Sequence, residues 1–422
     1  LNNPIAAPSS ALAEQERPFL LTLAGIQFTH ILDFMIMMPL GPQLLRALGI
    51  SAHEFGLLLS SYTFSAAVSG LLAATYIDRF DRRKLLLILY ALFIVATLCC
   101  GLAPDYAFLL AARALAGAFG GVLGAMVQTM VADRIPFERR GQAMGIVMAA
   151  FSLSTVAGVP LGLLLANHFS AIGWRAPFFF IALLSGGFFF IGYRRLPAMT
   201  SHLDQPKTKN ALMQILDIAR QANHLKAFGF IALMMLAGFT VIPYVPLYLT
   251  ANVGIAESFI AVVYLCGGVA TFFTARLIGR LADRFGKLRI FQWVAVASFV
   301  PVLITTHLAP VPWWVVLCNS TVFFILVPGR MIPAMAMVGS AAAPQVRGRF
   351  MSLVSSVQML SSGAAALLAG FIITRTPAGQ IAHYNRVGYV AVACGLLAIW
   401  LARHLHLLTV PASMPAAAVV KR

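Results

Sequence analysis

Apolar residues in this chain come in long unbroken runs. They follow neither the alternation of a half-buried strand nor the three-and-four spacing of a helix with one wet face. A helix needs about 20 mostly apolar residues to cross the hydrocarbon layer of a membrane. Twelve stretches have that length, near 18–42, 54–77, 84–103, 106–132, 141–167 and 175–195, and then near 226–250, 257–282, 287–307, 312–341, 347–374 and 384–405. The connections between them are short, so successive helices should run antiparallel beside one another. The exception is the polar stretch 196–225, which divides the twelve into two sets of six. The expected organisation is a disordered tail over 1–17, a six-helix bundle over 18–195 and a cytoplasmic linker over 196–225. A second bundle over 226–405 and a tail over 406–422 complete it. The first span is too long, and too polar at its outer end, for a cleavable signal peptide.

Composition supports this and removes several alternatives. Of the 422 residues 60% are hydrophobic and 10% charged, against about 25% charged in ordinary soluble domains. The net charge of +17 does not indicate nucleic acid, because the cations gather in alternate loops. Arg79, Arg82, Arg83 and Lys84 form one group, and Arg134, Arg139 and Arg140 another; Arg194 to Lys226, Arg280 to Arg289, and Arg347 with Arg349 follow. The opposite loops hold only Arg46, Arg175, Arg375 and Arg386. Cytoplasmic loops retain Lys and Arg, which places both termini inside, and part of the charge can grip anionic lipid headgroups. The five cysteines lie within apolar spans without CxxC spacing, as buried thiols rather than metal ligands or a disulfide framework. No glycine loop precedes Lys-Ser or Lys-Thr, and no nucleophile–base pair or metal cluster is apparent. No enzyme, cofactor or metal is expected, and transport is not driven by ATP hydrolysed on this chain.

The two halves repeat one another. Asp78-Arg79-Phe80-Asp81-Arg82-Arg83 lies between two long apolar segments, and Asp283-Arg284-Phe285-Gly286-Lys287-Leu288 does so 205 positions later (283 − 78). Pro136-Phe137-Glu138-Arg139-Arg140-Gly141 and Pro344-Gln345-Val346-Arg347-Gly348 confirm the register. Duplicated sets of membrane helices with a basic hinge in each mark a secondary transporter. These hinges resemble the motif of the major facilitator superfamily, Gly-x-x-x-Asp-Arg/Lys-x-Gly-Arg-Arg/Lys, and the resemblance covers essentially the whole chain. The second copy matches at Gly279, Asp283, Arg284, Gly286 and Lys287. The first keeps Asp78, Arg79, Arg82 and Arg83 but has Ala74 and Asp81 in the glycine slots.

The resemblance implies an all-α membrane protein of twelve transmembrane helices in two pseudo-symmetric six-helix bundles. It would sit in the inner (plasma) membrane, with the first, fourth, seventh and tenth helices lining the cavity. At the hinge, the Asp78 carboxylate suits the positive N-terminus of an inward-starting helix. By the resemblance that helix is the eleventh, near Arg347. Arg82 and Arg83 can pair with Asp133 or Glu138, while Asp283, beside Arg284, would mirror Asp78 against the fifth helix near Gly141. These contacts are expected to hold the cytoplasmic gate shut in the outward-open state and release it on rocking; positive-inside anchoring is the plainer role.

Asp33, in His30-Ile-Leu-Asp33, and Arg113, in Arg113-Ala-Leu-Ala-Gly117, are charged groups at membrane depth. Such groups cost roughly 3 kcal/mol or more and usually face a cavity or a partner. Counting about 1.5 Å per residue, both lie roughly 10–14 Å below the outer surface, which makes them candidate partners. Arg113 also resembles the superfamily's fourth-helix arginine associated with proton coupling. A carboxylate beside a guanidinium can titrate with conformation, as a proton carrier must; a permanent tie between the first and fourth helices is the other reading. His30, one turn from Asp33, either shares the proton or packs.

Ala157-Gly158-Val159-Pro160-Leu161-Gly162 is similar to the glycine-proline motif of superfamily antiporters, and Gly173-Trp174-Arg175 follows as in drug and sugar efflux branches. Gly158, Pro160 and Gly162 should bend the fifth span. Arg330, in Pro328-Gly329-Arg330-Met331-Ile332-Pro333, is a cation deep in the tenth span, suited to an anionic substrate, a carboxylate, or the cap of a neighbouring helix. Gln27, Phe34, Met37, Gln128, Phe239, Tyr244, Tyr248 and Asn319 are further candidates for the cavity wall. The expectation is proton-coupled export of a small organic molecule (a drug-like compound, sugar or metabolite), acting as a monomer with substrate, protons and the bilayer as partners. Uptake, or uniport of a metabolite, is the alternative on the same fold.

Overall fold

The computed structural model describes residues 16–169, 171–200, 203, 217–343 and 346–407, save the side chains of Ala74, Asp78, Phe137 and Glu138. Residues 1–15 and 408–422 of the tails, and half of the 196–225 linker, lie outside the described residues. Among the described residues twelve helices are long and apolar enough to span a membrane. In the first half they are Glu16–Ile36, Ala52–Ala73, Arg82–Leu102, Tyr106–Arg134, Arg139–His168 and Gly173–Arg195. In the second they are Ala222–Val253, Glu257–Phe285, Lys287–His307, Trp313–Gly339, Arg347–Ile372 and Tyr384–Ala402. We number these spans one to twelve. The chain is a multi-pass, all-α membrane protein of two pseudo-symmetric bundles, as expected of a plasma-membrane transporter.

Local chemistry sets the ends. Ser51 and Glu54 form a reciprocal capping box at the start of the second span, and the Asp105 carboxylate accepts from the Phe108 N–H at 2.8 Å to start the fourth. The two hinges turn differently. Gly286 has φ +95, which needs glycine because a Cβ is strained there. Asp81, in the matching slot, has φ −55 and caps the third span, accepting from the Arg83 N–H at 2.9 Å. The first copy thus replaces a glycine turn with a side-chain cap.

Proline ends or interrupts several spans, the seventh among them at Pro243 and Pro246. The first ends at Ile36 rather than near residue 42; beyond Pro39 the chain turns into a separate short helix, Gly41–Leu48, which Gly49 ends at φ +65. The fifth span opens into a π-turn over Ser154–Gly158 just ahead of Pro160, whose missing N–H cannot close the ordinary ladder. In the tenth, Pro328 likewise cannot bond the Phe324 carbonyl, and Thr271 Oγ1 of the eighth span donates to that carbonyl at 2.8 Å.

Buried apolar residues show how the bundles meet. One core joins both halves at the outer ends of the spans, from Leu32, Ile36, Met37 and Leu44 to Tyr244, Leu247, Leu308 and Tyr384. Toward the cytoplasm the halves have separate cores, one around Phe19, Tyr90 and Met130 and the other around Phe230, Phe291 and Phe350. The second and eleventh spans pack closely, as do the fifth and eighth: Gly363 lies on Thr63 and Phe64, and Gly268 on Val156. At the inner ends Gly141, Gly145 and Gly348 have open space where a Cβ would stand. The molecule is closed outward and parted inward.

Candidate functional site

Asp33 and Arg113 meet. The Arg113 Nη1 donates to Asp33 Oδ2 at 2.7 Å, and both side chains have no exposed surface. The same nitrogen reaches the Asp33 carbonyl at 3.4 Å, and Thr97 Oγ1 donates to Oδ1 at 3.4 Å. Below the pair lies Tyr62 of the second span, its ring centroid 4.4 Å from the guanidinium carbon. Gly117, one turn along from Arg113, creates that contact: without a side chain there, the fourth span rests on the backbone of Tyr62. Arginine and glycine four apart share a helix face, so the Arg113–Gly117 motif positions the cation and the ring that covers it together.

The pair is only partly satisfied by protein. Arg113 Nε and Nη2, the Tyr62 hydroxyl, His30 Nδ1 and Gln27 Oε1 are buried and have no hydrogen-bond partner among the described residues. They follow one another from Asp33 toward the cytoplasmic end of the first span, past Gly120, which faces both the Tyr62 hydroxyl and His30, and Gly124, which faces His30 and Gln27. An unsatisfied buried polar atom costs about 1–3 kcal/mol, so these atoms are suited to hydrogen-bonding water. No hydrogen bond joins His30 to Asp33; the imidazole packs edge-on to Phe93, 6.4 Å between centroids.

Packing behind Asp33 comes from the fifth span. Gly158 lies against Leu32 and Phe28, and Gly162 against Ile36; Ser154 Oγ donates to the Phe28 carbonyl at 3.1 Å. The bend at Pro160 therefore stands directly behind the ion pair and also on the seam with the eighth span.

The remaining candidates separate into groups. Phe34 packs on Tyr62 and, across the bundles, on Phe239, with centroids 5.4 and 6.2 Å away. Met37 and Tyr244 belong in this state to the outer seal rather than to a cavity wall. The Tyr244 hydroxyl donates to the Ala366 carbonyl at 2.8 Å, and its 3.3 Å contact with the Ala52 carbonyl reaches the other bundle. Tyr248 is held by its hydroxyl to the Leu308 carbonyl at 3.1 Å, and Asn319 Nδ2 donates to Thr305 Oγ1 at 2.8 Å, so both are engaged within the C-terminal bundle. Gln128 is exposed. Arg330, 2% exposed, sits at the tenth-span kink and donates to Ser298 Oγ at 3.1 Å; it has no carboxylate partner among the described residues.

At the cytoplasmic hinge Arg82 Nε donates to Asp133 Oδ2 at 2.9 Å, and Arg83 donates to the Tyr193 carbonyl at 2.5 Å. These contacts lie within the N-terminal bundle and do not join the halves. Arg79 is exposed, and so is Arg284, whose guanidinium lies 5.2 Å from the Phe285 ring centroid. Asp283 is exposed, with no ion pair among the described residues. The expected contact of Asp283 with the fifth span at Gly141 is not made, because the inner ends stand apart. The side chains of Asp78 and Glu138 lie outside the described residues.

Tyr62 and the Arg46–Glu257 pair were not anticipated. Tyr62 stands ten residues into a span that starts at the outer face, at the depth of the ion pair, and the depth count applied to Asp33 would have found it. Arg46, on the short outer helix, makes a bidentate pair with Glu257 of the eighth span, the second contact at 2.9 Å, tying the bundles together outside.

The sequence matches the family description "Major Facilitator Superfamily" over residues 23–326 and 227–421. It is 24% identical to Multidrug resistance protein 2 of Bacillus subtilis, over 92% of this chain and 96% of the relative. It is 22% identical to a probable sugar efflux transporter of Pasteurella multocida, over 93% and 92%. In fold it is similar to a crystal structure of a bacterial homologue of the human lysosomal transporter Spinster in an inward-facing, occupied conformation. There the TM-score is 0.71 and the identity 15%, over 94% of this chain and 97% of that one.

Proposed function

Since the chain belongs to the Major Facilitator Superfamily, a family of transporters rather than enzymes, we propose that it exports a small organic molecule in exchange for protons. The observation that carries this reading is the wholly buried Asp33–Arg113 pair, from which polar atoms without a partner among the described residues lead toward the cytoplasmic side. With the outer seal closed, a proton on Asp33 leaves inward past Tyr62, His30 and Gln27, and Arg113 holds the carboxylate that remains. Cargo binds between the bundles, with Phe34, Phe239 and Gln27 as proposed contacts and Arg330 for a cargo bearing an anionic group. Rocking about the second–eleventh and fifth–eighth seams opens the outside, where protonation of Asp33 frees Arg113 and cargo departs. In that outward-open state the Asp78 and Asp283 hinges hold the inner gate. Export is favoured by the fifth-span motif and by the names of two relatives, a multidrug resistance protein and a probable sugar efflux transporter.

The test is reconstitution of wild type and Asp33→Asn in vesicles with an internal pH-sensitive dye, screened with drug-like cations, sugars and organic anions. The expected result is substrate-dependent proton movement that is lost in the variant. Cargo flux that survives in Asp33→Asn, with no proton movement in either protein, would establish a facilitator instead.

A further inference from the structure

A cavity of about 560 Å³ lies away from the ion pair, between the cytoplasmic ends of the first and sixth spans. Its walls are Arg17, Pro18, Leu21, Thr22, Phe188, Ile191 and Arg195. Two cations stand at its mouth, and among the described residues no carboxylate lines it. The nearest acid in sequence, Glu16, is turned to Arg139 at 3.0 Å. Neither Arg17 nor Arg195 makes an ion pair with a described residue. From them the groove descends past Leu21, which is 62% exposed, and Ile191, 40% exposed. Its floor is Phe188, lying flat on the first span because Gly25 has no side chain to displace it.

We propose that this groove holds an anionic phospholipid of the cytoplasmic leaflet, its phosphate between Arg17 and Arg195 and an acyl chain along Leu21, Phe188 and Ile191. The groups stand in the order a phospholipid presents them, with guanidinium forks at headgroup level and apolar surface one turn deeper. Their depth follows from the span ends: Arg17 begins the first span and Arg195 ends the sixth, both on the cytoplasmic face. That leaflet carries the anionic lipids, and juxtamembrane cations draw them. Arg83, on the third span, is tied to the sixth span's Tyr193 carbonyl, so the sixth span is anchored on one side by protein and on the other by lipid.

Native mass spectrometry of the full chain with added phosphatidylglycerol or phosphatidylcholine tests this. Wild type should retain one phosphatidylglycerol at concentrations where phosphatidylcholine is lost. Arg17→Gln with Arg195→Gln should weaken that retention about tenfold, whereas Arg280→Gln with Arg349→Gln, elsewhere on the same face, should leave it unchanged. Ile191→Trp, which fills the groove and keeps both cations, should also lose the lipid, so a folding defect in the arginine variant would not end the test. Soluble glycerol phosphate at the same concentration should not compete. Equal loss in both arginine pairs would overturn the proposal as general surface charge. Competition by glycerol phosphate would make the site one for a free anion. Equal retention of the two lipids by wild type would also overturn it, as when the chain's own first fifteen residues fill the groove.

Discussion

Replacing Asp33 by Asn removes the negative charge paired with Arg113 and leaves the guanidinium at zero exposure. At an effective dielectric of about 20, opposite unit charges in contact attract by roughly 4 kcal/mol or more. Stripping one partner from a buried pair costs about 3–5 kcal/mol. Asn keeps an acceptor in place, so the low end applies: about 3 kcal/mol, or roughly a hundredfold in the unfolding equilibrium. Adding Arg113→Met removes the stranded charge and lays an apolar thioether on the Tyr62 ring, which should return stability to within about 1 kcal/mol of wild type. Unfolding in mixed micelles, followed by circular dichroism, measures both variants; vesicle transport with the internal dye measures coupling. The expected pattern is a destabilised single variant and a recovered double variant, neither moving protons with cargo. A stable double variant that still couples protons to cargo would refute Asp33 as the carrier. A single variant losing under 1 kcal/mol would refute the energetic argument.

Tyr62→Phe deletes a hydroxyl with no partner among the described residues while keeping the ring over Arg113, so stability should hold or rise by up to about 1–3 kcal/mol; proton-coupled flux should fall, read in the same vesicles. Tyr244→Phe removes the bond to the Ala366 carbonyl and the contact with Ala52, worth about 1 kcal/mol. Only the Ala52 contact crosses the bundles, so the shift toward the outward-open state, read from distances between spin labels on the outer loops, should stay below about fivefold. Thr271→Val unsatisfies the Phe324 carbonyl and should cost about 1–3 kcal/mol in micelle unfolding. The Arg46–Glu257 pair, with side chains 56% and 26% exposed, should show a double-mutant coupling under about 1 kcal/mol that falls with added salt.

Much of this architecture is legible in the chain because a membrane imposes length and charge rules that leave long-range signatures. The spans and the duplicated hinge follow from them, and equal depth alone brought Asp33 and Arg113 together. Helix rotation is not legible: a span apolar on every side carries no stripe to say which face meets protein. Hence the sequence offers Tyr244, Tyr248 and Asn319 as cavity-wall candidates, while in this state they are tied to carbonyls and a hydroxyl. The Gly41–Leu48 helix was hidden because its apolar residues continue those of the first span, although Pro39, Pro42 and Gly49 mark the break. Asp81 reads as a defect in the motif until its cap on the third span is seen.

The arrangement explains how a proton on one carboxylate can bear on the contact between two bundles. Asp33 is flanked on its own helix by Leu32 and Ile36, which lie against Gly158 and Gly162 of the fifth span. Between those glycines the ladder is already broken by Pro160, so the fifth span bends there at little cost. On the opposite side of the same turn Val156 touches Gly268 of the eighth span, in the other bundle. A change in how tightly Arg113 draws Asp33 toward the fourth span thus reaches the seam through two packing contacts and one pre-broken turn. In the proposed cycle the two-state element is the seam itself, whose outer half is here fused into one core and whose inner half has a core on each side. Protonation need bias it by only the few kcal/mol that such a pair holds. In the proposed cycle the π-turn behind the ion pair and the polar atoms beside it that lack a partner among the described residues have parts to play that a fixed tie between the first and fourth helices does not require.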